Sequence, residues 1–234
     1  MFSNRNSLSR SELIRAGAAA LSLSVVGAGA SVNAANAAPQ GAVSPSDALD
    51  RLAAGNKRFV SGSIKNYEGI PERRLALAGG QAPYASVLSC SDSRVPPELV
   101  FDEHVGDLFV VRNAGNFVFP DVLGTLEYGY SVLGVKLIMV LGHDSCGAIS
   151  ATYDALKEQR TLPPNLDVIQ KAIQDGIRSV VTSNGTKNAA TIANAKAQAT
   201  RMKSSPVLGP AIESGDCKVV AAEYHLASGK ITFL

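Results

Sequence analysis

Residues 87–97, "VLSCSDSRVPP", place three chemically active side chains, Cys90, Asp92 and Arg94, at alternate positions. A thiolate is a nucleophile and a soft metal ligand, a carboxylate accepts hydrogen bonds, and a guanidinium holds a carboxylate by a two-pronged contact. Residues 142–147, "GHDSCG", add His143 and Cys146 at H-x-x-C spacing. Two thiolates and an imidazole in near-tetrahedral geometry suit zinc, and three protein ligands leave a fourth position for water. An open position means chemistry rather than scaffolding.

From spacing alone a metal site, a reactive thiol and plain structure all stay open, because a lone buried Cys is commonly a packing residue. Asp92 and Arg94 weigh toward a functional site, since an acid and a base beside Cys90 have no evident packing role. The plainer alternative is a surface ion pair worth about 0–1 kcal/mol. Three cysteines are too few and too odd for a disulfide framework. Cys217 has no partner at ligand spacing and reads as a buried apolar thiol. His104, in "FDEHVGD", reads as a surface loop residue, and His225 as a residue of a terminal strand engaged in packing or hydrogen bonding.

The elements that must position these residues alternate between strand and helix. "YASVLS" reads as a buried strand ending at Cys90, "DLFVVRNAGN" repeats the pattern, and "VKLIMVLG" is a third buried strand with His143 just past its end. A helix is expected from about Pro45 to Phe59, capped by Ser44. After Pro120, Leu123, Leu126, Tyr130 and Leu133 recur at helical spacing, with Asp121 as the expected cap. Residues 165–183 put Leu166, Ile169, Ile173, Ile177 and Val180 on one helical face, and an Ala-rich helix follows over 187–203. The C-terminal "CKVVAAEYHLASGKITFL" reads as two strands joined through Ser228 and Gly229. No internal repeat is visible. The pattern implies an α/β fold with a mostly parallel central sheet flanked by helices. In such sheets ligands collect outside the carboxyl ends of the strands, so Cys90 and the His143–Cys146 loop are expected side by side.

Composition bounds the rest. At 234 residues and 46% hydrophobic, the chain can bury a full core as one large domain. Residues 1–37 carry Arg5, Arg10 and Arg15 ahead of an uncharged Ala, Gly and Ser run, which reads as a secretory signal peptide. "SRSELIR" also resembles a twin-arginine signal in which the second Arg is replaced by Ser11. The run is too weakly apolar for a stable membrane anchor. Cleavage is expected after Ala34 or Ala37, giving an exported, periplasmic or extracellular protein with a linker over 38–43 and a domain over 44–234. Removing residues 1–37 takes away three Arg and one Glu and brings the net charge from +2 to 0. A neutral domain gives no electrostatic reason to expect nucleic acid.

"CSDSRV" followed by "GHDSCG", together with "AGNKRFVSG", "DLFVVRNAGN" and "GTLEYGYSVLG", resembles the β-class carbonic anhydrases over the chain up to about residue 150. The resemblance implies one zinc per chain held by Cys90, His143 and Cys146, with Asp92 and Arg94 as the adjoining dyad and Asp92 a fourth ligand only in a closed state. It implies a substrate pocket of Gln81, Phe109, Ala114, Tyr128 and Gly147, and at least a homodimer in which Gln81 serves the neighbouring subunit's zinc. Gln81, and Val87 where a regulated branch has Trp, place the chain with the plant-like, open-site branch. The implied reaction is reversible hydration of carbon dioxide to bicarbonate by zinc-bound hydroxide, since zinc lowers the pKa of its water toward about 7. Hydrolysis of carbonyl sulfide or carbon disulfide on the same zinc site is the enzyme alternative. A non-catalytic zinc-binding or thiol-redox protein is the alternative of a different class.

Overall fold

The computed structural model describes residues 43–234; the signal segment 1–37 and residues 38–42 of the expected linker lie outside the described residues. Helix α1 (Pro45–Ser61) starts where Ser44 Oγ accepts the Asp47 N–H at 3.1 Å and stops at Gly62, whose φ of 74° lies in the left-handed region. It runs two residues beyond the expected end at Phe59. Next come α2 (Ile70–Ala76), β1 (Ala85–Cys90), α3 (Pro97–Val100), β2 (Leu108–Asn113), α4 (Pro120–Ser131) and β3 (Leu137–His143). The chain continues through α5 (Gly147–Lys157), α6 (Asp167–Thr182), α7 (Lys187–Arg201), a 3-10 turn (Met202–Ser204), α8 (Leu208–Glu213), β4 (Lys218–Tyr224) and β5 (Ile231–Phe233).

The five strands form one sheet in the order β2-β1-β3-β4-β5. The first four are parallel and β5 runs antiparallel to β4. Every residue of β1 and β3 is buried, as expected of central strands covered on both faces, whereas β2 forms an edge and is only half-buried. Leu52 and Ala48 of α1 pack with Val87, Met139 and Leu141 on one face. On the other, Leu126 of α4, Ala195 of α7 and Leu208 of α8 pack with Leu88, Ile138 and Val140.

Two sequence expectations need correction. Asp121 does not cap α4: Pro120 takes the first helical position, Phe119 becomes the residue before it, and Asp121 lies inside the first turn without a side-chain capping bond. Leu166 precedes α6 and is 49% exposed, so the buried face of that helix is made by Ala172, Ile173, Ile177 and Val181. The short helices α2, α3 and α8 and the eleven-residue α5 carry too little apolar periodicity to stand out in the sequence.

Candidate metal centre

The parallel topology decides where the chemistry assembles. Cys90 is the last residue of β1 and His143 the last of β3, and β1 and β3 are direct neighbours with Ser89 opposite Leu141. Past His143 the chain turns through Ser145, whose φ of 53° is left-handed, and Cys146 becomes the residue that opens α5. That turn brings the Cys146 sulfur to 3.9 Å from the Cys90 sulfur. The donor atoms of Cys90, His143 and Cys146 all lie within 4.8 Å of one another, and all three residues are buried. None of the cysteines is in a disulfide.

The donor set has the chemistry of a zinc site. His143 Nδ1 lies 2.8 Å from the Asp144 carbonyl, which can only accept, so Nδ1 carries the proton and Nε2 presents a lone pair. Nε2 is buried and has no hydrogen-bond partner. A buried acceptor left unpaired costs about 1–3 kcal/mol, which a metal bond would relieve. The hydrogen bond from Cys146 pulls the Cys90 thiol down to about 4 against the opposing effect of burial, helped by His143 and the Gly115 N–H. That same bond, with burial and the Cys90 charge, pushes Cys146 up. The two sulfurs thus compete for one negative charge, and a cation among them would favour both as thiolates. Burial works against charge on His143, yet the adjoining Cys90 sulfur raises it.

Gly115 shows how closely the backbone must approach. Its N–H reaches the Cys90 sulfur at 3.3 Å with φ at 93°, and a Cβ there would meet Ile173 at 2.7 Å. Arg94 Nε and Nη2 hold the two oxygens of Asp92 at 2.9 and 2.7 Å, and the Arg94 backbone N–H adds a third bond at 3.0 Å. The Arg94 bond, opposed by burial, holds the Asp92 carboxyl well below the usual carboxylate range. Asp92 Oδ2 stands 3.8 Å from His143 Nε2, so the carboxylate faces the donor set while bonded to Arg94. Arg112 is the residue whose part sequence reasoning missed. Its Nε and Nη2 donate to the carbonyls of Cys90 and Asp92 at 3.0 and 2.7 Å, clamping the loop that carries both. It stands opposite Ser89 on the neighbouring strand, a register that the sequence does not announce.

The five residues of the implied substrate pocket fall into two groups. Ala114 adjoins Gly115 and Gly147 follows Cys146, both at the carboxyl ends of the strands. Gln81 is exposed ahead of β1, and Phe109 lies opposite Ser86, four residues before Cys90 and so roughly 13 Å along the strand. The Tyr128 ring stacks against Phe109 with centroids 6.1 Å apart. One chain therefore does not bring Phe109, or the Tyr128 ring stacked on it, onto its own donor set. Cys217 is 1% exposed within the apolar layer under α8, and burial pushes its thiol up to about 11, as an inert packing residue requires. His104 is half-buried with Nδ1 unpartnered, and His225, one residue past β4, lies 2.8 Å from Thr232 Oγ1 through Nε2.

A buried Cys2His donor set at the ends of parallel strands, with a fixed carboxylate at its edge, defines a zinc enzyme of the α/β class. The comparisons make the family explicit. Residues 85–231 match the carbonic anhydrase family model. A carbonic anhydrase of Mycolicibacterium smegmatis is 38% identical over 80% of this chain and 92% of its own length. Carbonic anhydrase 2 of Mycobacterium tuberculosis is 36% identical over 80% of this chain and 91% of its own. The solved structure of the β-carbonic anhydrase CcaA superposes with a TM-score of 0.63 at 25% identity, covering 80% of this chain and 91% of that one. The chain belongs to the β-class carbonic anhydrases, enzymes that use zinc.

Proposed function

We propose that this chain hydrates carbon dioxide reversibly to bicarbonate and a proton, with Cys90, His143 and Cys146 holding one zinc and Asp92 and Arg94 working beside it. The observation that carries the reading is the orphaned His143 Nε2 set between two buried sulfurs, with the Asp92 carboxylate 3.8 Å away. Zinc, when bound there, supplies a water activated near neutral pH. Asp92, kept ionised by Arg94, is acceptor-only; it takes a hydrogen bond from the attacking water and turns the water's lone pair toward the substrate carbon. Two thiolates and a neutral imidazole together match the charge of a divalent cation, so the filled donor set carries no net charge to retain bicarbonate strongly. Gly147 and Ala114 border the same space, and the small side chain of Ala114 widens it.

Gln81, Phe109 and Tyr128 act on a neighbouring subunit's site, which makes the working unit a homodimer or a higher homo-oligomer. The separation of Phe109 and Tyr128 from their own donor set supports this. Val87 is fully buried among apolar neighbours and offers no donor to a bicarbonate oxygen, so the site is of the open, unregulated kind, with simple saturation by bicarbonate. The protein is exported, cut after Ala34 or Ala37, and works in a periplasmic or extracellular space; N-terminal sequencing of the purified protein checks this, and an intact Met1 on cytoplasmic protein would overturn it. No described helix is long and apolar enough to cross a membrane.

Stopped-flow carbon dioxide hydration, with zinc measured on the same sample, tests the central reading. Activity proportional to zinc, with one zinc per chain at saturation, is the expected result. Parallel assays with carbonyl sulfide and carbon disulfide should give slower turnover, and preference for either gas would replace the reading.

A further inference from the structure

Each hydration releases a proton that must leave a centre whose donors are 5%, 0% and 2% exposed at Cys90, His143 and Cys146. Imidazole is the side chain best suited to carry protons near neutral pH. Of the three histidines in the sequence, His143 belongs to the donor set and His104 keeps Nδ1 buried without a partner. His225 differs from both. β4 pairs with β3 so that Tyr224 stands opposite His143, which places His225 at the next level outward, beside Asp144. Its side chain is 35% exposed, with Nδ1 at 3.7 Å from Asp144 Oδ2 and Nε2 at 4.0 Å from Glu223 Oε2.

Asp144 joins this imidazole to the site. Its carbonyl accepts from His143 Nδ1 at 2.8 Å, while its carboxylate accepts the Leu226 N–H at 3.2 Å and faces His225. On the other side, the Asp144 charge adds to that of Asp92 in raising the Arg94 guanidinium. Asp144 thus touches His143 through its carbonyl and an imidazole open to solvent through its carboxylate.

We propose that His225 is the proton-relay residue of the hydration reaction, held in place by Asp144, Glu223 and Thr232. The proposal rests on the hydration reading above. A ring nitrogen forms its N–H bond as an O–H bond of a water in the path breaks, and the imidazolium then gives one proton to a buffer base, so protons balance and no electron changes hands. The titratable groups that face the ring are Asp144 from the loop after β3 and Glu223 from β4; β5 contributes the Thr232 hydroxyl. Thr232 Oγ1, 2.8 Å from Nε2, fixes the ring plane.

The test is buffer dependence. In dilute buffer, His225→Ala and His225→Gln should lower kcat at least tenfold, within the range of positioned proton transfer, while kcat/KM stays within about twofold of the parent. Gln retains a partner for Thr232, which guards against a folding artefact. Added imidazole should restore kcat in both variants, and zinc content should not change. Diethyl pyrocarbonate, mapped by mass spectrometry on the zinc-loaded enzyme, should acylate His225. Undiminished kcat in dilute buffer, a loss shared equally by kcat/KM and resistant to imidazole, or a ring that resists the reagent would each overturn the relay. A parent enzyme with no carbon dioxide hydration even in concentrated buffer would instead overturn the reading beneath it.

Discussion

At the amino ends of β1 and β2, Arg51 bonds Glu103 at 2.6 Å and Asp107 at 2.8 Å, and Arg73 bonds Asp107 at 2.6 Å. Arg51 also lies over the Tyr84 ring, 4.0 Å from its centroid. At the carboxyl ends, Cys90, His143 and Cys146 converge just as closely, while the nearby guanidinium of Arg94 is taken up by both oxygens of Asp92. Both clusters bury groups that ionise, and burial without a counter-charge is costly. The first supplies its own cations and ties α1 and α2 to the sheet. The second leaves the cation to be taken from solution, which separates a site from a strut.

The largest effect expected from this contrast is at the carboxyl end, where Arg94 is already committed to Asp92. Cys146→Ser should remove zinc and with it the hydration activity, while Cys217→Ser, equally buried but alone, should keep both; metal analysis of the two purified variants checks this. Full zinc in Cys146→Ser would end the distinction drawn between the clusters. Next in size are Asp92→Asn and Arg94→Ala, expected to keep zinc and lose about 100-fold to 10,000-fold in hydration rate, because the pair orients without holding the metal. Stopped-flow rates with zinc quantified on the same samples decide it, and near-normal turnover would reduce the dyad to a surface ion pair.

At the self-neutralised end the effect should fall on stability. Arg51→Ala should cost about 2–3 kcal/mol in urea unfolding, since it leaves Glu103 and part of Asp107 unpaired, with kcat/KM unchanged after correction for folded protein. The smallest effect is a pH slope. Burial, against the pull of Arg51, raises Glu103 to about 7, above an unfolded value near 4.3. The folded protein therefore keeps a proton the unfolded chain releases. Stability from this group is full below about pH 4.3 and is lost as pH rises through 7. Glu103→Gln should remove about 1–2 kcal/mol of the decline between pH 6 and 8. An unchanged slope would mean that Glu103 stays ionised in the fold.

Much of this was legible before any coordinates. Full burial on both faces makes β1 and β3 read as unbroken apolar runs, so their ends, and hence Cys90 and His143, could be located by sequence alone. Residue chemistry identified the donors, because few side chains other than Cys and His suit zinc. The one-turn helices were illegible, since four to seven residues cannot establish a 3.6-residue period. Asp121 failed as a cap because Pro120 competed for the same helix start, a contest local propensity does not settle.

What only tertiary structure decided is which polar groups find partners. Arg112 and Cys90 are 22 residues apart, and nothing local announces that one clamps the other's carbonyl. Glu103 and Asp107 read as ordinary surface acids until α1 and α2 pack their arginines against them. The resemblance implies a pocket role for Phe109 and Tyr128, yet the strand's length holds them away from their own donors. Residue type fixes what a group can do, whereas partnership depends on distances that are set only when strands and helices close on one another.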